Sequence, residues 1–407
     1  MTKYLLSLAL FVLLFANAEA GSAMLFQLGG IGIITMMASV AVLREGIDRK
    51  PLSLFETVML IAASLSMAIS IFSEVEYTSL YSLTFLYVIC LAIVVARTVT
   101  LSDILSGATY SYLAMISACF LLTRQEMFDA LNISLDNRWA LRYAPFGLHP
   151  NLAGFIFGGG VAVLITQALV STGKNRLLFA GASLLSLQIV MASSSRASFL
   201  ALALAVAIAS LANLKRIGAK VIGGTIALAF IVVLLKTQSL FDYLSEIFEL
   251  SSEQRGIGSG GSGRLELWQM ALDRLFSDPI QLFLGGGLRS SSYELLGFNT
   301  ENSYLTIMLD SGILVGTVLI FSICRLISRL WRQIRAPQGR EWRLYTGVLM
   351  LITYTVAESV FNRYLIAIGN PLSVLFLLLC AKTELVTQHN SQEVNDYKEM
   401  IEIRSPF

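Results

Sequence analysis

Charge is scarce in this chain. Asp, Glu, Lys and Arg make up 14% of its 407 residues, where a soluble domain carries about a quarter. With a mean hydropathy of +0.71, that shortage excludes an ordinary water-soluble enzyme. Cysteine is rarer still. Cys90, Cys119, Cys324 and Cys380 lie in or beside apolar runs, and none stands in a CxxC spacing. Neither a disulfide framework nor a zinc site is indicated. Histidine occurs twice, as His149 and His389, and no His/Cys cluster forms, so no metal is expected. The glycine-rich run 256–263 lacks the Gly-Lys-Ser/Thr ending of a nucleotide-phosphate loop and follows no strand pattern; it reads as a hinge. No stretch resembles a nucleic-acid footprint. No repeat with a period of roughly 20–50 residues is visible, nor an inverted repeat of the transporter kind.

What the chain has is apolar length. Runs of roughly 17–25 residues recur, enough to cross a hydrocarbon core of about 30 Å as helices. Barrel strands would instead alternate in short segments. The expected fold is all-α, a polytopic membrane protein of about twelve spans. These run 4–18, 22–43, 54–72, 79–96, 104–122, 152–170, 177–192, 198–213, 217–235, 303–324, 344–361 and 364–381. The first, with Lys3 ahead of it and Ala18-Glu19-Ala20 behind, has the outline of a secretory signal; we read it as an uncleaved span. Lys and Arg concentrate in alternate connections, densest from Arg325 to Arg343. The positive-inside rule then puts both termini in the cytoplasm. Topology alone accounts for that basic belt, and contact with anionic lipid headgroups is the alternative. A single membrane domain, 1–381, precedes a polar cytoplasmic tail, 382–407, and carries a large outward loop, 236–302, between spans nine and ten.

The remaining polar residues collect on the outer side. Ser193-Ser194-Ser195-Arg196 stands between two apolar spans, where an arginine is costly unless paired or wetted. A guanidinium beside small hydroxyls suits a phosphate; a snorkelling interfacial arginine would leave the same pattern. In the large loop, residues 264–276 space Leu265, Trp268, Leu272 and Leu275 as one helical face. That helix lies either at headgroup level or on the tops of the spans, with Arg264 at its start. Arg264 near Arg196 would neutralise a departing pyrophosphate. Arg289 follows Gly285-Gly286-Gly287, whose backbone amides could add to an anion site. Glu301-Asn302 stands where the loop re-enters the membrane, a place to desolvate a carboxylate and make it a base. An acid complementing the helix dipole is the plainer alternative. Asp310 lies roughly 12–14 Å deeper on the same span. His149-Pro150-Asn151 opens a span, Pro150 suiting its first turn. Arg138 and Arg142 share that outer loop, and Glu358 and Arg363 are expected to pair as a structural couple.

These residues carry a family likeness. HPNLAG (149–154), SSSRAS (193–198), GRLELW (263–268), ENSYL (301–305) ahead of DSGILVG (310–316), and AESVFNRYLIAIGNPL (357–372) together resemble the O-antigen ligase and polysaccharide polymerase family of bacterial inner membranes. Each motif is short; their order and topology are more specific than any one of them. The resemblance implies a cofactor-free, metal-independent inverting glycosyltransferase acting on an undecaprenyl-pyrophosphate-linked glycan at the periplasmic face. It implies Arg196, Arg264 and Arg289 on the pyrophosphate, Glu301 as base, and His149, Asn302 and Asp310 positioning the acceptor. Ligases of the family usually have His-Asn where this chain has Glu301-Asn302, which favours a polymerase of repeat units, with a chain-length regulator as an additional partner. A ligase would instead use the lipid A core as acceptor. A secondary transporter, the reading from another class, would need ionisable residues near the bilayer middle, and Asp310 is its main candidate.

Overall fold

The structure is a computed structural model. It describes residues 1–17, 23–48, 50–72, 78–131, 142–214, 263–288, 299–336 and 341–404, with side chains as far as 387. Among these residues every regular element is helical. In chain order they are α1 (Thr2–Phe15), α2 (Ala23–Glu45), α3 (Leu54–Ser70), α4 (Thr78–Thr98), α5 (Leu101–Leu122), α6 (Arg124–Leu131), α7 (Pro150–Val170), α8 (Gly173–Ala192), α9 (Arg196–Ala212), α10 (Arg264–Ser277), α11 (Pro279–Leu284), α12 (Ser303–Arg335), α13 (Trp342–Glu358) and α14 (Pro371–Arg404). Six of them, α2, α4, α5, α7, α8 and α12, are long and apolar enough to cross a membrane, and α1, α3 and α9 are shorter apolar helices. The expected ninth run, 217–235, lies outside the described residues, as does Arg289. Each of the other runs overlaps a helix.

Local chemistry sets where the helices begin. Ser53 and Glu56 form a reciprocal capping box on α3, and Thr100 caps α5. Asn302 caps α12 by accepting from Tyr304 N and Leu305 N at 3.0 and 3.1 Å. Asn370 caps α14, accepting from Leu372 N at 2.9 Å, with Pro371 as the first helical residue. The last helix therefore starts at Pro371 and not at 364. The apolar stretch Leu365–Ile368 that hydropathy counts as helix is loop. Helix α14 then runs on through 382, where a tail was expected. Glu384 on it is fully buried, accepts from Phe55 N at 2.9 Å and pairs with Arg329 at 3.2 Å.

Helix α7 is buried along most of its length and is packed by α5, α8, α9 and α13. The chain alternates between two ends of this bundle. At one end Arg97 pairs with the buried Glu56 at 2.9 Å, Arg329 pairs with Glu384, and Asn213 on the α9 side donates to Thr346 of α13 at 2.9 Å. At the other end the starts of α7, α9 and α12 meet the ends of α8 and α13, and the candidate residues gather there.

Helix α12 is broken at Gly312, which has φ 81° and ψ 160°. The break frees the carbonyls of Leu309 and Asp310. Gly286 N and Gly287 N donate to them at 2.8 and 3.0 Å, and Gln281 Nε2 adds a 2.7 Å bond to Leu309 O. The glycine run after α11 thus serves as a splint for a broken helix. Its amides are not an open anion nest, which corrects the expectation for Gly285–Gly287. A Cβ at Gly312 would overlap the Phe283 carbonyl. Gly312→Ala should therefore cost on the order of 1–3 kcal/mol in backbone strain alone, seen as a lower thermal midpoint in detergent; an unchanged midpoint would contradict this account of the break.

Candidate functional site

Three backbone devices build the site end of the bundle. The first is the junction of α8 and α9. Ser193 Oγ donates to Val190 O at 2.7 Å, and Ser195 and Ser198 share a hydrogen bond of 2.8 Å between their hydroxyls. These hydroxyls are turned into the protein, so the expectation that they face a phosphate does not hold for Ser193 and Ser195. Arg142 clamps the junction from outside, donating to Ser193 O at 3.0 Å and to Asn151 Oδ1 at 2.7 Å. That ties SSSRAS to HPNLAG. Gly154 makes the approach possible, because a Cβ there would overlap Ser195.

The second device is the start of α12. Ser303 N donates to Ser359 O and Asn362 O at 2.9 and 3.0 Å, and Ser303 Oγ donates to Asn362 O at 2.6 Å. Tyr304 OH reaches Val356 O at 2.6 Å. Thr300 and Thr306 join hydroxyls at 2.6 Å, and Thr306 Oγ1 also donates to Asn302 O at 2.9 Å. This ring holds Glu301, half-buried, in a left-handed conformation with φ 48°. Asn302 is buried and its oxygen is committed to the helix cap.

The third is the loop 359–370 between α13 and α14. Glu358, the last residue of α13, is fully buried. Its Oε1 accepts from Ser198 Oγ at 3.2 Å and from Asn362 Nδ2, while Oε2 is buried without a partner. It makes no ion pair among the described residues. Arg363 turns outward to donate to Asn299, so the expected Glu358–Arg363 couple does not exist. Helix α10 covers this loop, with Trp268 on Phe361 at 6.2 Å between ring centroids. Trp268 therefore belongs to the packing of α10 on the bundle, not to a headgroup-facing stripe.

The candidate residues converge on Glu358. Ser198 lies in the first turn of α9, which Arg196 begins. Arg264 and Glu301 both lie within electrostatic reach of Glu358 and of Tyr364. Arg196 and Arg264 are each half-buried and each the first residue of its helix. Neither helix start carries a side-chain cap hydrogen bond among the described residues. Among the described residues Arg264 makes no hydrogen bond or ion pair. Burial, with Glu301 nearby, pushes the Tyr364 phenol above its usual range. It remains a hydrogen-bond donor at neutral pH.

His149 and Asp310 lie apart from this cluster. His149 is exposed and caps α7, its Nδ1 accepting from Asn151 N at 3.2 Å. Asp310 is buried. Both line a cavity of about 350 Å³ that also touches Arg363 and Tyr364, so those two residues border both places. The residues that spacing missed are Glu358, Asn362 and Tyr364. Their signal was present: a carboxylate ending an apolar helix, with an amide four residues on, in a chain poor in charge.

A model of the family described as O-antigen ligase matches residues 181–321. The matched segment contains SSSRAS, GRLELW and ENSYL, so the resemblance read from short motifs is supported independently over the segment holding both arginines and Glu301. No curated protein matches the chain.

Removing the Glu358 side chain would leave Ser198 and Asn362 without their acceptor in a closed space. Glu358→Ala should lower stability by about 1–3 kcal/mol, and Glu358→Gln, which keeps an oxygen for both donors, by less. Equal thermal midpoints for Glu358→Ala and the parent protein would refute this account of the junction.

Proposed function

We propose that this protein polymerises undecaprenyl-pyrophosphate-linked repeat units at the periplasmic face of a bacterial inner membrane, for O-antigen, capsule or exopolysaccharide. The observation that carries the reading is the convergence of two arginine-led, uncapped helix starts and the carboxylate Glu301 on one end of the bundle. The family match bears on the broader class, ligase or polymerase. The polymerase choice rests on Glu301-Asn302 standing where family ligases usually have His-Asn.

In this reading the lipid-linked glycan approaches from the outer leaflet, and its diphosphate sits between Arg196 and Arg264. Arg289 is a third candidate for that anion. Glu301 takes the proton from an acceptor hydroxyl. The freed oxygen attacks C1 from the face opposite the diphosphate, and the C1–O bond breaks with its electron pair left on the phosphate oxygen. Both guanidinium groups and the two helix starts stabilise the charge that grows there. Geometry at C1 inverts. The leaving group already activates the sugar, so no nucleotide is required. His149, Asn302 and Asp310 are assigned to positioning the acceptor. Both termini are cytoplasmic, the basic residues from Arg325 to Arg343 lie on that same side, and a chain-length regulator is a natural partner.

A second reading is favoured by the description of the matched family: a ligase passing the lipid-linked glycan to the lipid A core. Purified protein with lipid-linked repeat unit, with and without lipid A core, separates them. A ladder of products without the core supports the polymerase, and a single transfer only with the core supports the ligase.

Arg196→Ala and Arg264→Ala should each lower kcat/KM by at least about 10²-fold, the scale of losing one charge-stabilising donor, with membrane insertion intact. Normal polymer from either variant would remove the diphosphate assignment. Glu301→Gln should bind lipid-linked donor as the parent does and lose turnover; retained turnover would strip Glu301 of its role as base.

A further inference from the structure

Glu56, Glu358 and Glu384 are all fully buried, and two of them show what a buried carboxylate requires. On Glu56, Oε1 accepts from Arg97 Nε at 3.3 Å, and Oε2 accepts from Arg97 Nη2 and Ser53 N at 2.9 and 2.8 Å. On Glu384, Oε1 accepts from Arg329 Nη1 at 3.2 Å and Oε2 from Phe55 N at 2.9 Å. An ionised carboxylate spreads its charge over two oxygens, and both take donors. Glu358 is built otherwise. Ser198 Oγ and Asn362 Nδ2 both donate to Oε1, and Oε2 has no donor. Asn362 is itself fully buried, and its Oδ1 is likewise without a partner.

One hydrogen atom accounts for both orphaned acceptors. A carboxylic acid has a carbonyl oxygen that accepts and a hydroxyl that donates. With the proton on Oε2, Oε1 is the carbonyl that Ser198 and Asn362 address, and the hydroxyl donates to Asn362 Oδ1. Acid and amide then close a cyclic pair with every polar atom met and no charge left out of water. Ionised, the same group would set its charge against an amide carbonyl. Among the described residues, the charged groups within electrostatic reach of Glu358 are Arg264 on α10 and Glu301 ahead of α12, of opposite sign. Tyr354 on its own helix and Tyr364 in the following loop bring neutral phenols, and α9 brings the Ser198 hydroxyl.

We propose that Glu358 is held as a neutral acid paired with Asn362, and that this neutrality makes it a positioning residue of the donor site, leaving the Arg264 guanidinium to the diphosphate. An ionised Glu358 would compete with the diphosphate for that guanidinium. The acid–amide pair stands on its own geometry; its consequence for the donor rests on the transferase reading above and deepens it.

The test uses the full-length protein in detergent, its infrared spectrum, and undecaprenyl pyrophosphate as the binding probe. Glu358→Gln is a permanently neutral copy of the acid: its carbonyl accepts from Ser198 and Asn362, and its amide donates to Asn362 Oδ1. At neutral pH the parent should show a protonated-carboxyl C=O band that Glu358→Gln lacks and that Asn362→Leu, by removing the partner, moves to higher frequency. A parent spectrum with no such band sensitive to either substitution overturns the proposal. Glu358→Gln should hold undecaprenyl pyrophosphate at least as tightly as the parent at neutral pH. A hold about tenfold weaker, the scale of losing one hydrogen bond to a charged group, would mean that a charge at 358 is needed, and also overturns it. As pH rises, the half-saturating concentration for the parent should climb about tenfold above that for Glu358→Gln, while the acid band fades. Coincident pH profiles for the two proteins overturn the link to Arg264. A parent that shows the band but binds no undecaprenyl pyrophosphate at any pH removes the diphosphate reading and the donor-site half of the proposal with it, and leaves the acid–amide pair standing.

Discussion

A peptide N–H or C=O that leaves its helix inside a hydrocarbon layer must find another protein group, because no water is there to meet it. This constraint shapes the site end of the bundle. The carbonyls freed at the α12 break are met by the glycine amides after α11. The start of α12 is met by carbonyls of the loop 359–370. Each irregular stretch is another's partner, so they cannot be scattered along the molecule. Gathering irregular backbone in one place is what brings residues far apart in sequence into one polar cluster.

The same logic separates two kinds of buried carboxylate. Glu56 and Glu384 are fully buried and each is joined to an arginine. Charge taken out of water is tolerable in such pairs because each partner replaces the other's solvent. Glu358 is as deeply buried and, among the described residues, has a hydroxyl and an amide for partners. Arg264 lies within reach of it without closing an ion pair. A locked pair holds helices together and has nothing left to offer a ligand. Among the described residues the Arg264 side chain makes no ion pair, so its fork is not committed to that carboxylate. The locked pairs stand at one end of the bundle, and Glu358, which makes no ion pair among the described residues, stands at the other.

How much of this was legible in the sequence follows from what each signal measures. Apolar runs measure burial in lipid, so α2, α4, α5, α7 and α8 fell within a few residues of where they were expected. Pro150 reports local backbone preference, and its place in the first turn of α7 held as well. Hydropathy failed at residues 364–370, because an apolar loop packed inside protein scores like a helix; Asn370-Pro371, a cap and a first-turn proline, was the better signal there. The glycine run 285–287 was misread because its amides bond to α12, a partner that spacing along the chain does not reveal. Glu358 was set beside Arg363 by proximity in sequence, yet its bonds go to Ser198 and Asn362, which tertiary packing alone brings to it. Local chemistry is readable from the chain, whereas partners chosen across the bundle are not.

Backbone strain gives an independent view of the same place. Among the described residues the non-glycine positions with left-handed φ are Phe146, Ser194 and Glu301, and each sits in or beside a stretch that builds the site. A side chain in this region costs on the order of 1–3 kcal/mol unless its surroundings hold it. Phe146 is held by the ring of Phe15 at 5.3 Å, Ser194 by its N–H to Met191 O at 2.9 Å, and Glu301 by the ring of Thr300, Thr306 and Asn302. Glycine or asparagine would adopt the backbone at 301 more easily. Glycine would relax the turn and remove the carboxylate; glutamate keeps the strain and holds a half-buried carboxylate at the start of α12. The strained position and the position proposed for the base are the same residue.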